Sequence, residues 1–556
     1  MTRDDGPEVG ERIVERLGEH GVEYVFSTFG TDHPTLIKGM TREGTPDPVL
    51  APHEMVAASA AHGYAQASGR PGVVLVHVDV GTANLGAALH NANRSRVPLF
   101  VAAGRTPRTT DGEKPGSRSI FVHWYQDVFD QHGLVREYTK WEYELETAAN
   151  AERVVDRGLE VATANPAGPV YLTLPREILR EGAPPPSQLS QPEYEPATLD
   201  AATRDDLVDR LAEADYPLVI TSYLGRDERA VETLETFAET TGAGVVEAAP
   251  AFDLNFPREH PLHFGFATEP HFEEADLLLV LDCDVPWVPK RGTPRSDATV
   301  VHVDSDPGKG RYPNWGYDVD VSVRADARSV LSDLAAAFDA DADDRRERLR
   351  ERGASLQVER RGSVPDPSAA DAITPELLSA TLGEVLDGDG VVVDETVTNT
   401  PAVLEHCTRT DPGSYYSYCS SGLGWGLGAA LGVSLARPDE TVVCVVGDGS
   451  FVLGNPVAAV QMAQAYDRPH LTVIYDNDGW AAVADAIADQ YAEAGFDPDP
   501  FTQFSPGTDY AAVADGLDCH GERVSDPGNL EGAIRRGLEA VEDGTHAILD
   551  VVLAPG

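Results

Sequence analysis

The stretch that decides the fold is Thr441–Ser450, which reads TVVCVVGDGS. Its apolar, β-branched run is typical of a strand buried inside a parallel sheet. Gly447 and Gly449 allow a tight turn and the close approach of a ligand to the backbone. A helix predicted to begin near Asn455 could offer its first amides to a phosphate. Asp448 then lies where a cation could bridge carboxylate and phosphate oxygens.

A second apolar run, His470–Tyr475, ends in Asp-Asn-Asp-Gly. Each of the two strand ends, taken alone, is most often only a turn. Neighbouring parallel strands, however, present their carboxyl ends at one edge of a sheet, where ligands bind. The two ends together therefore predict a magnesium site made from Asp448, Asn477 and the Gly479 carbonyl.

The segment Leu431–Ser450 resembles the thiamine-diphosphate signature of the superfamily of acetolactate synthase, pyruvate decarboxylase and benzoylformate decarboxylase, and the likeness extends over nearly the whole chain. The resemblance implies thiamine diphosphate as cofactor and Mg²⁺ as its anchor. It also implies an α/β fold of three doubly wound parallel-sheet domains, which are pyrimidine-binding, central Rossmann-like and diphosphate-binding. The further residues that it places at the cofactor are Thr398, Gly422, Leu423, Gly447, Gly449 and Ser450.

The rest of the chain alternates short apolar runs with helical segments, which favours parallel α/β units. A proline-rich linker is predicted at Glu181–Ala197, and a charged helix at Asp343–Arg352 precedes a second linker ending at Pro367. We therefore expect domains at 1–180, 198–338 and 370–556. The predicted strands are Val22–Phe26, Val73–Val78, Pro98–Ala103, Pro169–Leu174, Pro217–Ser222, Val245–Ala248, Ala275–Leu281, Ala298–Val303, Gly390–Val393, Thr441–Val446, His470–Tyr475 and Ala547–Val552.

Glu54 begins the segment EMVAASAAHGYAQASGRPGVVLV, which is similar to the family segment whose glutamate contacts the aminopyrimidine ring. A protonated carboxyl at that ring helps the cofactor to lose its C2 proton. The alternative for Glu54 is a carboxylate that only stabilises a helix N-terminus. Leu423 matches the family's bulky residue beneath the thiazolium. The alternative interpretation is that Leu423 is only a core leucine.

His77 lies in VHVDVGTANLGAALHNA, which resembles the benzoylformate decarboxylase segment whose histidine relays protons. A near-neutral pKa suits that task, although a histidine at a strand end could equally be a rim residue. Thr31 matches a small hydroxyl residue that contacts substrate in that enzyme. The second active-site histidine has no counterpart in the run Asp282–Pro289, and the paired histidines of pyruvate decarboxylase are also missing.

Gln126 and Lys140 lie in segments that resemble the acetolactate synthase segments with an active-site glutamine and lysine. The alternative for Lys140 is an exposed surface lysine. Trp480–Ala486 lacks the methionine and tryptophan that those synthases place around the acceptor, and flavin-contacting turns are missing from the central region. We expect no FAD.

These features predict non-oxidative decarboxylation of a 2-oxo acid, benzoylformate-decarboxylase-like, with carboligation as a side reaction. An acetolactate-synthase-like carboligase of the large-subunit type, without FAD, is the alternative. A cofactor-binding protein without catalysis is the third. The substrate's side chain and the presence of a regulatory subunit stay open. The family resemblance implies a homodimer or homotetramer with active sites between subunits.

The charge of the chain is strongly negative: 92 acidic residues oppose 43 basic ones, for a formal net charge of −49. Such a surface disfavours nucleic acid and anionic membranes as partners. Its even spread suggests a halophilic protein of a high-salt cytoplasm, where salt screens the repulsion. No secretory leader or long apolar run is present, so we expect a cytoplasmic protein. The five cysteines show no CxxC spacing, which argues against structural zinc.

Overall fold

The computed structural model describes residues 6–188, 194–248, 251–419, 421–491, 499–504 and 507–554. Within these residues the chain forms three sheets in which every paired strand is parallel to its neighbour. Helices lie between most successive strands, so the predicted α/β fold of three parallel-sheet units is confirmed. The predicted domain boundaries stay predictions, and part of the first predicted linker lies outside the described residues.

The first sheet has the strand order β2-β1-β3-β4-β6-β5. Its strands are β1 Tyr24–Ser27, β2 Asp47–Leu50, β3 Gly72–Val76, β4 Leu99–Arg105, β5 Trp141–Glu144 and β6 Val170–Pro175. Its helices are α1 Val9–Glu19, α2 Pro34–Met40, α3 Glu54–Ser68, α4 Val78–Ala83, α5 Gly86–Arg94, α6 Val122–Tyr125, α7 Ala151–Thr163 and α8 Arg176–Leu179.

The second sheet has the order β11-β10-β9-β7-β8. Its strands are β7 Pro217–Thr221, β8 Gly244–Glu247, β9 Leu277–Leu281, β10 Thr299–Asp304 and β11 Val321–Arg324. Its helices are α9 Ala201–Glu213, α10 Glu228–Thr241, α11 Ala327–Ala337 and α12 Asp343–Gly362. Helix α12 continues beyond the predicted end at Arg352, and in this extension Gln357 donates to the carbonyl of His260 at 2.8 Å, which ties it to this unit.

The third sheet has the order β13-β12-β14-β15-β17-β16. Its strands are β12 Val391–Glu395, β13 Tyr415–Tyr416, β14 Val442–Gly447, β15 Leu471–Asp476, β16 His520–Val524 and β17 Ala547–Val552. Its helices are α13 Pro375–Leu386, α14 Thr400–His406, α15 Gly426–Ala436, α16 Asp448–Leu453, α17 Pro456–Ala465, α18 Ala481–Tyr491, α19 Asp499–Thr502, α20 Ala512–Asp515 and α21 Pro527–Glu542.

The first and third sheets are joined by the packing of α3 against α15. Glycines make this close approach possible: a Cβ on Gly63 would overlap the backbone of Ala429, and one on Gly432 would overlap the carbonyl of Ala60. The alanine-rich faces of both helices are buried in one shared core. Across the described residues, no helix is long and apolar enough to cross a membrane.

Candidate active site

The strand β14 runs directly into α16, which begins at Asp448. The helix predicted to begin near Asn455 is present as α17, which begins at Pro456, and the glycine-rich exit before it forms a further short helix, α16. The Asp448 side chain is buried, and its Oδ1 accepts a hydrogen bond from the Gly449 amide at 2.8 Å. Its Oδ2 is buried without a hydrogen-bond partner among the described residues. Burial, together with the charge of Asp476, raises the pKa of Asp448 to about 7.

The end of β15 lies beside Asp448, since β14 and β15 are paired. Asn477 Oδ1 accepts a hydrogen bond from the Gly479 amide at 3.3 Å, and this amide also faces the Asp448 carboxyl group. Asp478 between them has a φ of 60°. The three predicted metal-binding residues thus lie together at the carboxyl edge of the third sheet.

This arrangement fits a magnesium ion that is held mainly through a bound phosphate. One carboxylate, one amide oxygen and one carbonyl are few ligands, as Mg²⁺ prefers when phosphate completes its shell. In the described part of the chain, no cluster of three His, Cys, Asp or Glu side chains could hold a metal alone. A cation at Asp448 would compensate the buried Oδ2, whose desolvation is otherwise unfavourable.

Gly447 leaves room for a diphosphate at this edge, whereas Gly449 allows Trp480 to pack closely. A Cβ on Gly447 would point into open space, with only the Thr396 carbonyl near, at 3.8 Å. A Cβ on Gly449 would overlap the Trp480 ring. Ser450 is buried in the first turn of α16. Thr398 is exposed in the short 3₁₀ turn that follows β12 at the same edge.

Residues 421–426 form a turn that is fixed from two sides. Glu395 at the end of β12 accepts hydrogen bonds from the amides of Gly424 and Gly426, at 2.7 and 2.6 Å, and so caps α15. Asn91 of α5 donates to the Gly422 carbonyl at 2.7 Å and accepts from its amide at 3.2 Å. Leu423 is half-buried between these anchors. The turn therefore holds Leu423 where the first and third sheets meet.

Glu54 is the first residue of α3 and follows β2 at the carboxyl edge of the first sheet. Its Oε2 accepts a hydrogen bond from the Asn84 amide group at 2.9 Å. A Cβ on Gly81 would lie 3.3 Å from Glu54 Oε1, so α4 passes close to this carboxyl group. Glu54 is half-buried in the single chain.

His77 follows β3 at the same edge and lies within electrostatic reach of Glu54. Its Nδ1 is 2.5 Å from Asp32 Oδ1, and this hydrogen bond raises the pKa of His77. Val78 next to it has a φ of 27°, an unfavourable conformation for a β-branched residue. Sequence reasoning missed Asp32, although it directly follows Thr31 in the turn after β1.

Thr31 is exposed in that turn, and Gln126 is buried after α6. The Gln126 carbonyl accepts a hydrogen bond from Thr106, which follows β4, so Gln126 also belongs to the carboxyl edge. His123 nearby is buried and electrostatically coupled to His77. Sequence reasoning missed His123 as well, because it lies in the short helix α6, which the sequence analysis did not predict.

Lys140 lies apart from these residues. It precedes β5, so it sits at the amino edge of the sheet, opposite to His77. Its ammonium group donates to the carbonyls of Val161 and Ala164 at 2.6 Å each, at the end of α7. Burial lowers the pKa of Lys140 to about 8. The structure therefore gives Lys140 a helix-capping position and does not bring it to the other predicted site residues.

The segment without the second histidine, Asp282–Pro289, has a structural use. Asp284 is buried, and its carboxylate contacts Arg96 at 2.8 Å and Lys309 at 2.5 Å. Arg96 belongs to the first unit and Lys309 to the second. This segment therefore ties the central unit to the first one through the buried ion pair of Asp284 with Arg96.

Three family models match the chain in order. They are the N-terminal thiamine-pyrophosphate-binding domain at residues 7–134, the central domain at 204–334 and the C-terminal thiamine-pyrophosphate-binding domain at 396–551. The third match includes Asp448, Asn477 and Gly479, and the first includes Glu54 and His77.

Relatives with assigned activities match over nearly the whole chain. A benzoylformate decarboxylase of Pseudomonas aeruginosa is 27% identical over 545 residues, which cover 95% of this chain and 96% of that protein. A probable chloroplastic acetolactate synthase of rice is 26% identical over 579 residues, covering 97% of this chain and 82% of its own.

Solved structures share the fold. A thiamine-diphosphate-dependent 4-hydroxybenzoylformate decarboxylase of Rhodococcus jostii superposes with a TM-score of 0.81 at 24% identity, covering 99% of both chains. A benzoylformate decarboxylase of Polynucleobacter necessarius gives 0.83 at 22% identity, covering 99% of this chain and 100% of its own. The family models, together with the relatives, establish that the chain belongs to the superfamily of thiamine-pyrophosphate-dependent enzymes, as a decarboxylase or carboligase.

Proposed function

We propose that the protein catalyses the magnesium-dependent, non-oxidative decarboxylation of a 2-oxo acid to an aldehyde and carbon dioxide. The observation that carries this proposal is His77, which lies within electrostatic reach of Glu54 and whose imidazole is hydrogen-bonded to a carboxylate that favours the protonated ring. A decarboxylase must deliver a proton to the carbon that loses carbon dioxide, and a protonated imidazole suits that step. The benzoylformate decarboxylases among the similar proteins support the same outcome.

Thiamine diphosphate, when bound, supplies the electron sink for the loss of carbon dioxide. The residues of this chain would divide the remaining tasks. Asp448, Asn477 and the Gly479 carbonyl would hold Mg²⁺, and Gly447, Gly449 and Ser450 would surround the diphosphate. The cofactor would also be contacted by Thr398, Gly422, Leu423 and Glu54, with Glu54 at the aminopyrimidine. His77 would hold at Nε2 the proton that reaches the substrate carbon.

We further propose that the active unit is at least a homodimer in the cytoplasm, with each site between two copies. Large apolar side chains are exposed in the single chain near Gln126, among them Phe121, Tyr125 and Phe129. Val452 and Leu453 in α16, next to Asp448, are exposed as well. Exposed apolar patches of this kind usually mark an interface. A second copy would cover both and bring its third sheet to the first sheet of its partner.

The alternative is a carboligase without FAD, similar to the acetolactate synthase large subunit. The buried Gln126 at the carboxyl edge favours it, as does the similarity to plant acetolactate synthases. The position of Lys140 at the opposite edge supports the decarboxylase instead.

The test is a product analysis at high salt with thiamine diphosphate and Mg²⁺, because the chain is strongly acidic. A panel of 2-oxo acids, including aromatic and short aliphatic ones, is offered alone and with a second carbonyl acceptor. Aldehyde and carbon dioxide in equal amounts are expected. A 2-hydroxy ketone or acetohydroxy acid as the main product would replace the decarboxylase by the carboligase.

A further inference from the structure

The carboxylate of Asp32 is held between two imidazoles. Its Oδ1 lies 2.5 Å from His77 Nδ1, and its Oδ2 lies 3.2 Å from His33 Nε2. The Val78 amide also donates to Oδ2, at 3.4 Å. His33 is itself fixed, because its Nδ1 accepts a hydrogen bond from the Gly30 amide. The carboxylate therefore cannot rotate without losing partners on both oxygens.

Glycines in the surrounding backbone leave room for the Asp32–His77 pair. A Cβ on Gly30 would overlap the His77 ring, and a Cβ on Gly104 would overlap the Asp32 carboxylate. These glycines belong to different strand ends, those of β1 and β4. Val78 keeps a φ of 27° directly after His77. Strain of this kind persists only where the surroundings impose it, and it is concentrated at functional sites.

Asp32 is ionised in this environment. Its burial alone would raise its pKa, but the imidazoles of His33 and His77 hold the pKa well below its usual range. The buried carboxylate in turn raises the pKa of His77. The titratable and charged groups that face the pair are His33 after β1, Glu54 of α3, Asp79 of α4, His123 after β4 and Arg176 of α8.

We propose that Asp32 is a positioning residue that binds the Nδ1–H of His77 and directs Nε2, with its proton, towards the substrate. The proposal rests on the decarboxylase function above. In each turnover the bond from carbon to carboxylate breaks, carbon dioxide leaves, and the Nε2–H bond gives its proton to that carbon. In the neutral ring that remains, Nδ1–H stays hydrogen-bonded to the Asp32 carboxylate. Nε2 can therefore take a new proton from water.

The first experiment compares the pH dependence of decarboxylation in the wild type and in Asp32→Asn. The amide can still accept from Nδ1–H but lacks the charge that keeps the ring protonated. We expect kcat to fall by about 10-fold to 100-fold, and its alkaline limb to move to lower pH. Asp32→Glu should restore the limb in part. An Asp32→Asn profile with an unchanged limb would refute the proposal.

The matched control is Glu239→Gln in the central unit, which removes the carboxylate 2.8 Å from His260 Nε2. It deletes a histidine partner of the same type outside the site, so the pH profile should keep its shape. If Glu239→Gln moved the alkaline limb as far as Asp32→Asn does, the shift would reflect overall charge and the proposal would fail.

The second experiment follows the His77 ring directly by NMR of ¹³C-histidine-labelled protein, with His77→Gln used for assignment. The midpoint of the His77 titration should fall in Asp32→Asn, whether or not a substrate has been found. Gly30→Ala reaches the pair without changing any charge, since its methyl group would displace the ring. It should also lower the midpoint, and it provides a second variant if Asp32→Asn folds poorly.

The two proposals fail in distinguishable ways. If no 2-oxo acid yields an aldehyde but Asp32→Asn still lowers the midpoint of the His77 titration, the decarboxylase function is overturned and the Asp32–His77 pairing is kept. Aldehyde formation with an unchanged His77 midpoint in both variants would keep the function and overturn the positioning role of Asp32.

Discussion

The first and third sheets order their strands identically, so β3 in one and β14 in the other occupy the same place in the fold. Both strands run straight into a short helix: α4 begins at Val78 and α16 at Asp448. The residue before each helix differs in kind. In the first sheet it is His77, whose imidazole contacts Asp32 at the carboxyl edge. In the third sheet it is Gly447, which has no side chain and borders open space.

This difference shows how one scaffold provides two kinds of site. In the first sheet the strand end is filled by protein groups, His77 with Asp32, which are proposed to move protons. In the third sheet Gly447 leaves it open, and among the described residues the buried Oδ2 of Asp448 has no hydrogen-bond partner. Carboxyl edges of parallel sheets bind ligands generally, but the residue at the strand end decides which part of the chemistry occurs there.

The largest expected effect comes from the third sheet, in Asp448→Asn. Losing the charge that is proposed to bind Mg²⁺ should cost several kcal/mol of transition-state stabilisation, about 10³-fold in kcat/KM. Binding of thiamine diphosphate, followed by calorimetry across Mg²⁺ concentrations, should weaken as well.

The control for Asp448→Asn is Asp478→Asn, which makes the same change on the neighbouring strand end. Asparagine tolerates the φ of 60° at this position. Asp478→Asn should bind cofactor normally, because its carboxylate is not among the proposed ligands. Equal losses in the two variants would show that the total negative charge of the edge holds the metal, and not Asp448 itself.

The next effect belongs to the first sheet, in Glu54→Gln. If Glu54 only stabilises the start of α3, the loss should be a few tenths of a kcal/mol in stability. If it activates the cofactor, kcat should fall by about 10²-fold while the cofactor still binds. We expect the second result. Asn84→Ala, which removes only the hydrogen-bond partner of Glu54, should cause a smaller loss of kcat and serves as the graded comparison.

The sequence predicted every interior strand of the three sheets and missed five of the six edge strands; the sixth, β8, is buried along its whole length and was predicted. The missed strands are β2, β5, β11, β13 and β16, and each one is an outermost strand. A central strand is covered on both faces and therefore shows a continuous apolar run, as in β14. Trp141–Glu144 and Val321–Arg324 are only half-covered, so their polar residues hide the pattern. Their pairing depends on neighbours far away in the sequence.

The candidate site divides in the same way. Asp448, Asn477 and Gly479 follow strands that were predicted, so the parallel topology alone brings them together. Asp32 was missed because its role depends on a contact with a histidine on another strand end. Lys140 was expected in the site by resemblance, but strand polarity places it at the other edge. Order along the chain predicts which strand a residue follows, whereas pairs between loops need the packed structure.

The contact that joins the two sheets is expected to affect stability. A Cβ in Gly432→Ala would overlap the Ala60 carbonyl and approach the Tyr64 amide. Backbone atoms of α3 cannot move aside cheaply, so we expect a loss of about 2 kcal/mol. The control is Gly362→Ala at the end of α12, where the added Cβ would meet no other group of the described residues within 4 Å. This change should be neutral or slightly stabilising. The denaturation midpoints of the two variants, measured at fixed salt, should differ. Equal midpoints would contradict the tight contact between α3 and α15.

The smallest expected effect tests whether the amino edge of the first sheet takes part in catalysis. Lys140→Met removes an ammonium group from the carbonyls of Val161 and Ala164, so α7 should lose about 1 kcal/mol of stability. Turnover should stay unchanged, because His77 lies at the other edge. Lys114→Met, at an exposed ion pair with Glu181, controls for the loss of a positive charge in this acidic protein. If Lys140→Met instead abolished turnover at full stability, the separation of the two edges would fail, and the carboligase alternative, in which Lys140 is an active-site residue, would gain support.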